Sequence, residues 1–307
     1  GACALNAGGV GRDELRQQDG AGMGRPVRAM VAPSQGVHIV VDRAFMPADH
    51  AMLVPHTADG RVLFAVPWLG KLVLGTTDTP RTDLAREPRP FGHEIEFILS
   101  ETARYLNKAP TRADIKSIWV GLRPLVKRHK DEGESTQGLS REHTVLVSRS
   151  GLVTVTGGKW TTYRAMAEDV LEHCFNANLL PRSASGATAD MTLIGGGTPT
   201  QPHRLISAAP GLHLYGDEAS MVLSLPGADK VLGDGLSEAM VRFAARYEYA
   251  HTVEDVLARR SRLLFLDAGQ AARLAPRVGE LLLEETGTDP KIMAFLALAR
   301  DYLRLPE

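Results

Sequence analysis

The chain has 307 residues, which is room for about two domains of ordinary size. Hydrophobic residues make up 44% of the sequence and charged residues 23%, which excludes a disordered chain, a collagen-like fibre and a disulfide-rich scaffold. The formal net charge of −1 argues against a nucleic-acid-binding surface. The two cysteines, Cys3 and Cys174, form no CxxC pair and lack metal-ligand spacing, so we predict neither a metal site nor a redox dithiol.

The first residues have the pattern of a buried strand, Ala2–Leu5, that runs into a glycine turn at Asn6–Gly9. A chain rarely begins in mid-strand, so we expect further residues N-terminal to this sequence in the intact protein. Downstream, β-branched and alternating apolar residues predict an antiparallel meander rather than a βαβ array, with strands at 36–41, 52–54, 61–68 and 71–76.

A helix, a strand and a hairpin are predicted next. Apolar residues at the helical period between Ile95 and Leu106 predict the helix. We expect a strand at 115–122, and a hairpin formed by strands at 144–147 and 152–156. After the hairpin, two glycines lead into a helix over about 161–177.

The remaining sequence is helical in pattern. A segment rich in Ser, Thr, Gly and Pro predicts a linker over 181–202. Thr252 and Asp255 have the spacing of a capping box, and Asp289-Pro290 predicts the start of a last helix that ends at Leu303. We therefore predict an α+β fold, with a mixed domain over 1–180, the linker, and an all-helical domain over 203–307.

The strongest local feature is Gly157-Gly158-Lys159, followed by Trp160 and Thr161 at the start of a predicted helix. Glycines let a ligand approach the backbone, and the free N–H groups of a helix N-terminus attract anions. A tight turn capped by a threonine hydroxyl accounts for the same pattern. The spacing differs from that of a GxxxxGK[ST] phosphate loop, and we find no GxGxxG dinucleotide fingerprint in the chain.

Two arginines and one histidine are further candidates. Arg123 ends an apolar strand and Arg141 precedes another, and a guanidinium at a strand end can bind phosphate or carboxylate with two hydrogen bonds. A surface salt bridge is the alternative for both. His38 lies within an apolar strand, and its ordinary pKa of ~6.5 suits a general base. A purely structural histidine is the alternative there.

Six sequence blocks occur together in one order and carry a resemblance. They are Gly36–Val41, Phe64–Trp68, Leu74–Thr79, Gly121–Leu125, Leu139–His143 and Gly157–Arg164. In this order they resemble the FAD-dependent (aerobic) glycerol-3-phosphate dehydrogenase family, within the D-amino-acid-oxidase-like flavoproteins. The segment from Arg246 to Arg260 resembles the C-terminal helical domain of that family.

The resemblance implies an activity, a cofactor and partners. Members of the family oxidise sn-glycerol 3-phosphate to dihydroxyacetone phosphate, with hydride transfer to N5 of FAD and electron transfer to quinone. They act in glycerol metabolism as peripheral proteins on the cytoplasmic face of the membrane, and a homodimer is one possible assembly. The predicted fold then becomes an antiparallel substrate-binding sheet with partial FAD-binding elements, followed by the helical domain.

The resemblance also implies residue roles. Asn6, Ala7 and Gly8 match the flavin-contacting turn of the family, although Gly11 stands near the position where an aromatic residue is usual. The edge of the flavin ring is expected at Gly157, Gly158, Lys159, Trp160 and Thr161. Arg123, Arg141 and Lys159 are expected to bind the substrate, with His38 as the general base and Arg123 as the rival for that role.

The chain departs from the family in lacking its Rossmann-like segment, which holds the ADP half of FAD. We therefore expect the chain by itself to bind FAD weakly or not at all. Two alternatives to a quinone-linked dehydrogenase stay open. One is a glycerol-3-phosphate oxidase that passes electrons to oxygen, and the other is a non-catalytic remnant of a flavoprotein.

Overall fold

The structure is a computed structural model that describes residues 3–58, 60–126, 142–182 and 186–307. Its strands, in chain order, are β1 (Ala4–Asn6), β2 (Val31–Asp42), β3 (Met52–Val54), β4 (Leu63–Trp68), β5 (Lys71–Gly75), β6 (Thr79–Pro80), β7 (Ser117–Val126), β8 (Thr144–Val147), β9 (Leu152–Thr156), β10 (Val231–Gly233) and β11 (Leu236–Ser237). Its α-helices are α1 (Arg12–Gly22), α2 (Gly92–Ala103), α3 (Tyr163–Asn176), α4 (Ala219–Leu223), α5 (Glu238–Tyr247), α6 (Leu263–Leu266), α7 (Ala268–Thr286) and α8 (Ile292–Leu303).

The chain divides into two compact units that interleave along the sequence. The first comprises Gly1–Gly36, Asp78–Pro88 and Gly121–Met191, and the second comprises Val37–Thr77, Arg89–Val120 and Thr192–Glu307. These units do not test the domain boundaries expected from the sequence, which stay a prediction.

The first unit contains a three-stranded sheet in the order β1-β9-β8. Strands β8 and β9 form the antiparallel hairpin that the sequence predicts, whereas β1 pairs with β9 in parallel. Helix α3 packs on this sheet through Val170 and Cys174, which are buried with Val145 and Val153. The ends of β1 and β9 are thereby fixed relative to the start of α3.

The second unit contains the predicted antiparallel meander. Strands β3, β4 and β5 are successive neighbours, and β5 pairs with the second half of β2. Leu69 and Gly70 join β4 to β5 with φ values of 47° and 80°, the conformation that suits a two-residue hairpin turn. Apolar side chains of the meander and of α2 share one buried cluster, which makes this sheet a stable platform.

The C-terminal part of the chain is mostly but not all helical, because β10 and β11 pair as a two-stranded antiparallel sheet within the region predicted to be all-helical. It has a hydrophobic cluster of its own, formed by α4 to α8 and the segments between them. The predicted capping box is confirmed, because the Thr252 hydroxyl accepts from the Asp255 N–H at 3.2 Å and the Asp255 carboxylate accepts from the Thr252 N–H at 2.9 Å. The helical segment that follows is a π-helix over Asp255–Arg260.

The predicted start of the last helix is wrong by two residues. Helix α8 begins at Ile292, and Lys291 before it has a left-handed backbone with φ 59°. The Asp289 carboxylate accepts a hydrogen bond from the Lys291 N–H at 2.9 Å. Asp289 therefore stabilises a local turn rather than capping the helix, and Pro290 precedes α8 instead of occupying its first position.

Two features are absent from the described residues. Within the ranges given above, the helices are too short or too polar to cross a membrane. Nor do those residues bring three metal-ligating side chains together.

Candidate active site

The candidate site lies where two parallel strands end. Strands β1 and β9 are in register, with Asn6 opposite Thr154, so both point their carboxyl ends toward the same edge of the sheet. Each strand is followed by a glycine turn and then by a helix. Ligands of α/β proteins commonly bind at the carboxyl ends of parallel strands, and this edge brings the two predicted flavin-contacting turns together.

The first turn is locked by Asn6, which is 2% exposed. Its side-chain oxygen accepts from the Gly8 N–H at 3.2 Å, and its side-chain nitrogen donates to the Arg12 carbonyl at 3.0 Å. Ala7 and Gly8 are exposed. The turn therefore presents open backbone at Ala7 and Gly8 while the asparagine beneath it is fixed.

Arg12 is a residue of this site that the sequence pattern did not indicate. It is 3% exposed, and its guanidinium donates to the Gly9 carbonyl at 2.5 Å and to the Val155 carbonyl at 2.6 Å. Burial lowers the pKa of Arg12 to about 10. Because Val155 lies in β9, Arg12 ties the first turn to the strand that leads into the second.

Replacing Arg12 by alanine is expected to lower the free energy of unfolding by about 2 kcal/mol, because two carbonyls lose a charged donor. Urea denaturation followed by tryptophan fluorescence measures this change. Arg28→Ala, which alters an exposed arginine beyond the same helix, is the control and is expected to change stability by less than about 0.5 kcal/mol. Equal unfolding midpoints for the two variants would contradict the role assigned to Arg12.

The second turn is confined on both sides. Gly157 and Gly158 have φ values of 73° and 78°. A Cβ atom on Gly157 would lie 2.4 Å from the Glu142 carbonyl oxygen, and one on Gly158 would lie 2.5 Å from the Met166 sulfur. Gly157 therefore requires glycine for backbone conformation and for space, whereas at Gly158 the left-handed backbone is the main requirement, because the end of the Met166 side chain can move.

Lys159, Trp160 and Thr161 follow this turn and are exposed, Trp160 to 85%. Residues Trp160–Thr162 form a 3₁₀ turn that precedes α3, and no side-chain hydrogen bond caps either helical start. The threonine cap that offered a purely structural explanation is absent from this described segment. Within the 3₁₀ turn the Thr162 N–H donates to the Lys159 carbonyl at 3.0 Å and the Tyr163 N–H donates to the Trp160 carbonyl, so an anion would meet the N–H groups that precede these two.

Arg123 lies near the end of β7 and forms an ion pair with Asp78 at 3.7 Å. The Asp78 carboxylate also accepts a hydrogen bond from the Ser34 hydroxyl. A Cβ atom on Gly36 would lie 2.2 Å from a guanidinium nitrogen of Arg123, so this glycine makes room for the side chain. Gly36 and Asp78 thus determine where the guanidinium sits, and neither role was visible in the sequence.

Arg123 and the second glycine turn face one cavity of about 400 Å³. The cavity is lined by Leu122, Arg123, Pro124, Leu125, Gly157, Gly158 and Lys159. All of these residues belong to the first unit. The structure therefore brings four of the predicted site residues around one space. Arg141 lies outside the described residues, and its predicted role stays a prediction.

His38 belongs to the second unit and lies in the half of β2 that pairs with β5. Its ring stacks on Trp119 at 4.2 Å between centroids. A Cβ atom on Gly75 would lie 2.5 Å from His38 Cδ2, so the ring packs directly on the neighbouring strand. The half-buried ring is held in one orientation, as a general base requires, and its catalytic role stays a prediction.

Two protein-family models match the chain. Residues 1–164 match the FAD dependent oxidoreductase model, and residues 187–292 match the C-terminal domain of alpha-glycerophosphate oxidase.

Named relatives agree with these matches. The mitochondrial glycerol-3-phosphate dehydrogenase of Arabidopsis thaliana is 37% identical over 310 residues, which cover 92% of this chain and 48% of that protein. The human mitochondrial enzyme of the same name is 37% identical over 324 residues, which cover 98% of this chain and 43% of that protein. The chain thus spans about half the length of these curated relatives.

A solved structure of glycerol-3-phosphate dehydrogenase from Bacillus halodurans, complexed with FAD, superposes with a TM-score of 0.74 at 25% identity. The match covers 99% of this chain and 62% of that one. It confirms the predicted α+β fold, with antiparallel sheets and a C-terminal helical part. The family match covers more than half of the chain and agrees with the resemblance seen in the sequence, and the chain belongs to the FAD-dependent oxidoreductase family.

Proposed function

We propose that the chain supplies the substrate-facing part of an FAD-dependent enzyme that oxidises sn-glycerol 3-phosphate to dihydroxyacetone phosphate. The observation that carries this proposal is the cavity shared by Arg123 and the Gly157–Lys159 turn. A cavity of about 400 Å³ accommodates a small phosphate ester beside part of a larger ring. The names of the relatives supply the class of reaction.

The residues at the strand ends fit a flavin ring. Gly157 and Gly158 carry no side chain, so a flat ring could meet their backbone directly. Among the described residues, the buried hydroxyl of Thr156, directly before this turn, has no hydrogen-bond partner. Ala7 and Gly8 present a second stretch of exposed backbone at the same sheet edge.

Arg123 and Lys159 supply positive charge for the phosphate of the substrate. A guanidinium binds a phosphate with two parallel hydrogen bonds, and a lysine ammonium adds a point charge. The side chain of Arg123 is 28% exposed, so an entering anion can reach it, while Asp78 fixes its direction. The positive end of the α3 segment adds to the same potential.

Oxidation of a secondary alcohol removes a proton from oxygen and a hydride from carbon. FAD, when bound, accepts the hydride. We propose His38 as the group that takes the hydroxyl proton. The stack on Trp119 and the close contact with Gly75 hold the imidazole in a fixed position.

The electron acceptor has two candidates. Quinone is the acceptor that the resemblance implies, and we propose it. From the same resemblance we also propose a peripheral location on the cytoplasmic face of the membrane and a homodimer. Oxygen is favoured by the match of residues 187–292 to a domain described from an oxidase. Hydrogen peroxide formation and quinone reduction, measured on the same preparation, separate the two.

Anaerobic mixing of the FAD-loaded holoprotein with sn-glycerol 3-phosphate tests the proposed reaction. We expect the flavin absorbance to bleach with one equivalent of dihydroxyacetone phosphate formed per flavin. Glycerol, which lacks the phosphate, and sn-glycerol 1-phosphate, the enantiomer, are the controls and are expected to react far more slowly. A stable flavin spectrum with sn-glycerol 3-phosphate would contradict the proposal and favour a non-catalytic remnant.

The 307-residue chain by itself is expected to bind FAD weakly. Its described residues offer two turns for the ring, but the sequence contains no GxGxxG loop to hold the pyrophosphate. Flavin content after purification and titration of free FAD by fluorescence quenching measure the affinity. A bright yellow chain with stoichiometric FAD would contradict this expectation.

A further inference from the structure

The sequence contains two cysteines in 307 residues, and folding brings them into contact. The sulfur atoms of Cys3 and Cys174 lie 3.8 Å apart, although 171 positions separate the residues. A buried residue touches about 6–12 others, so two positions chosen at random in a chain of this length would touch in on the order of 3% of cases. Two cysteines placed independently of each other would therefore rarely be in contact.

The two cysteines sit at defined places in the first unit. Cys3 directly precedes β1 and is half-buried, whereas Cys174 is fully buried on α3 among Val145, Val153 and Val170. A disulfide needs sulfur atoms about 2.05 Å apart, so the sulfurs must approach by roughly 1.8 Å. Cys3 lies before the first residue of β1, so its segment can shift toward Cys174 without opening the pairing of β1 with β9.

We propose that Cys3 and Cys174 form a reversible intramolecular disulfide when the protein meets a hydroperoxide. The sequence contains no CxxC pair, so the spacing of the two cysteines along the chain argued against a redox dithiol. The pairing is created by the packing of α3 on β9, which no local motif records.

The oxidation takes two steps, which together balance in atoms and electrons. The Cys3 thiol releases its proton, its thiolate attacks one oxygen of hydrogen peroxide, and the O–O bond breaks. Cys3 sulfenic acid forms, and the hydroxide that leaves takes up the released proton to give one water. The sulfur of Cys174 then displaces the hydroxyl group of that sulfenic acid, forming the S–S bond and releasing a second water with the Cys174 proton. The two thiols lose two electrons, and peroxide gains them.

The difference in solvent exposure between the two cysteines indicates which one reacts first. Cys3 is the cysteine that solvent can reach, so it meets the oxidant first. Burial raises the pKa of the Cys174 thiol, which disfavours its thiolate and suits it to the resolving role. The bond would link the segment before the Asn6 turn to the helix after the Gly157 turn, and so cross-link the elements that flank both turns.

The test treats the purified, reduced chain with hydrogen peroxide and counts thiols after denaturation. We expect two reactive thiols to fall to none, the intact mass to drop by two hydrogen atoms, and dithiothreitol to restore both thiols. Peptide mapping should show Cys3 joined to Cys174 within one chain. Sulfinic acid on Cys3 with Cys174 still free, or a cross-link between chains, would overturn the proposal.

Two serine variants and one unfolded control complete the test. Cys174→Ser should leave a sulfenic acid on Cys3 that dimedone traps, and Cys3→Ser should leave Cys174 largely unoxidised. The disulfide should form at least about tenfold faster in the folded chain than in urea, because folding holds the sulfurs in contact. Equal rates in the folded and unfolded chain would show that the contact plays no part, and would overturn the proposal.

Discussion

Replacing Arg123 by alanine is expected to lower kcat/KM for sn-glycerol 3-phosphate by about 10²–10³-fold in the FAD-loaded holoprotein. Two charge-assisted hydrogen bonds to the phosphate are lost, and together they contribute about 3–4 kcal/mol to binding of the transition state. Arg123→Lys keeps the charge but loses the planar fork, so we expect an intermediate loss. Steady-state kinetics at saturating electron acceptor measure both variants.

The ratio of two substrates separates phosphate binding from a structural role. Arg123→Ala should react with glycerol as slowly as the unaltered protein does, because glycerol has no phosphate to bind. Arg182→Ala is the matched control, since Arg182 forms an exposed ion pair with Glu172 in the same unit, and such pairs contribute little. An equal loss of activity toward both substrates would contradict the assignment of Arg123 to the phosphate.

In the protein prepared as the FAD-loaded holoprotein, replacing Gly157 by alanine is expected to raise the dissociation constant for FAD at least about tenfold and to lower the melting temperature. The left-handed backbone alone costs a side chain about 1–2 kcal/mol. The new Cβ atom would also lie 2.4 Å from the Glu142 carbonyl oxygen, so the turn must move. Fluorescence titration with FAD and thermal unfolding in the absence of FAD measure the two effects separately.

Gly24→Ala is the control for backbone strain. Gly24 has a φ of 68°, close to that of Gly157, but a Cβ atom there would meet nothing within 4 Å. We therefore expect a small loss of stability and unchanged affinity for FAD. If Gly157→Ala lowers stability but binds FAD as well as Gly24→Ala does, the turn does not contact the flavin.

Local sequence patterns predict the strands and turns of this protein well where partners are close in the chain. The hairpin formed by β8 and β9 and the short strand β3 have the predicted bounds. In each case alternating apolar residues stand next to a turn signal, so the information is contained within about ten residues. The meander of the second unit was predictable for the same reason.

Features that depend on distant partners were not predicted. A strand was predicted at the start of the chain, but its parallel pairing with β9 across nearly 150 positions was not, and Leu5 in this strand is exposed rather than buried. Helix α1 is polar along most of its length and includes Gly20 and Gly22, so it lacks the apolar stripe that marks a helix. Its first residue, Arg12, is recognised as part of the site by its hydrogen bonds to the Gly9 carbonyl and to the distant Val155 carbonyl.

The sequence patterns indicated residues that the structure places around one cavity, but they did not indicate the residues that hold Arg123 in position. Arg123 and the Gly157–Lys159 turn stand in recognisable blocks, and the structure places them around one cavity. Gly36 and Asp78 lie in two others of the six sequence blocks. Their effect on Arg123 depends on contacts between residues that are far apart in the chain. Local spacing left a salt bridge or a capped turn as alternatives for these residues, and the ordered sequence blocks pointed to the site. The residues that position them are recognised only from the packing of the fold.

A crystal structure of the FAD-loaded holoprotein with dihydroxyacetone phosphate bound would test the central claim most directly. We expect a phosphate oxygen within about 3 Å of the Arg123 guanidinium and the flavin ring against the backbone of Gly157 and Gly158. A phosphate bound elsewhere, with the cavity between Arg123 and Lys159 filled only by solvent, would contradict the site described for this protein.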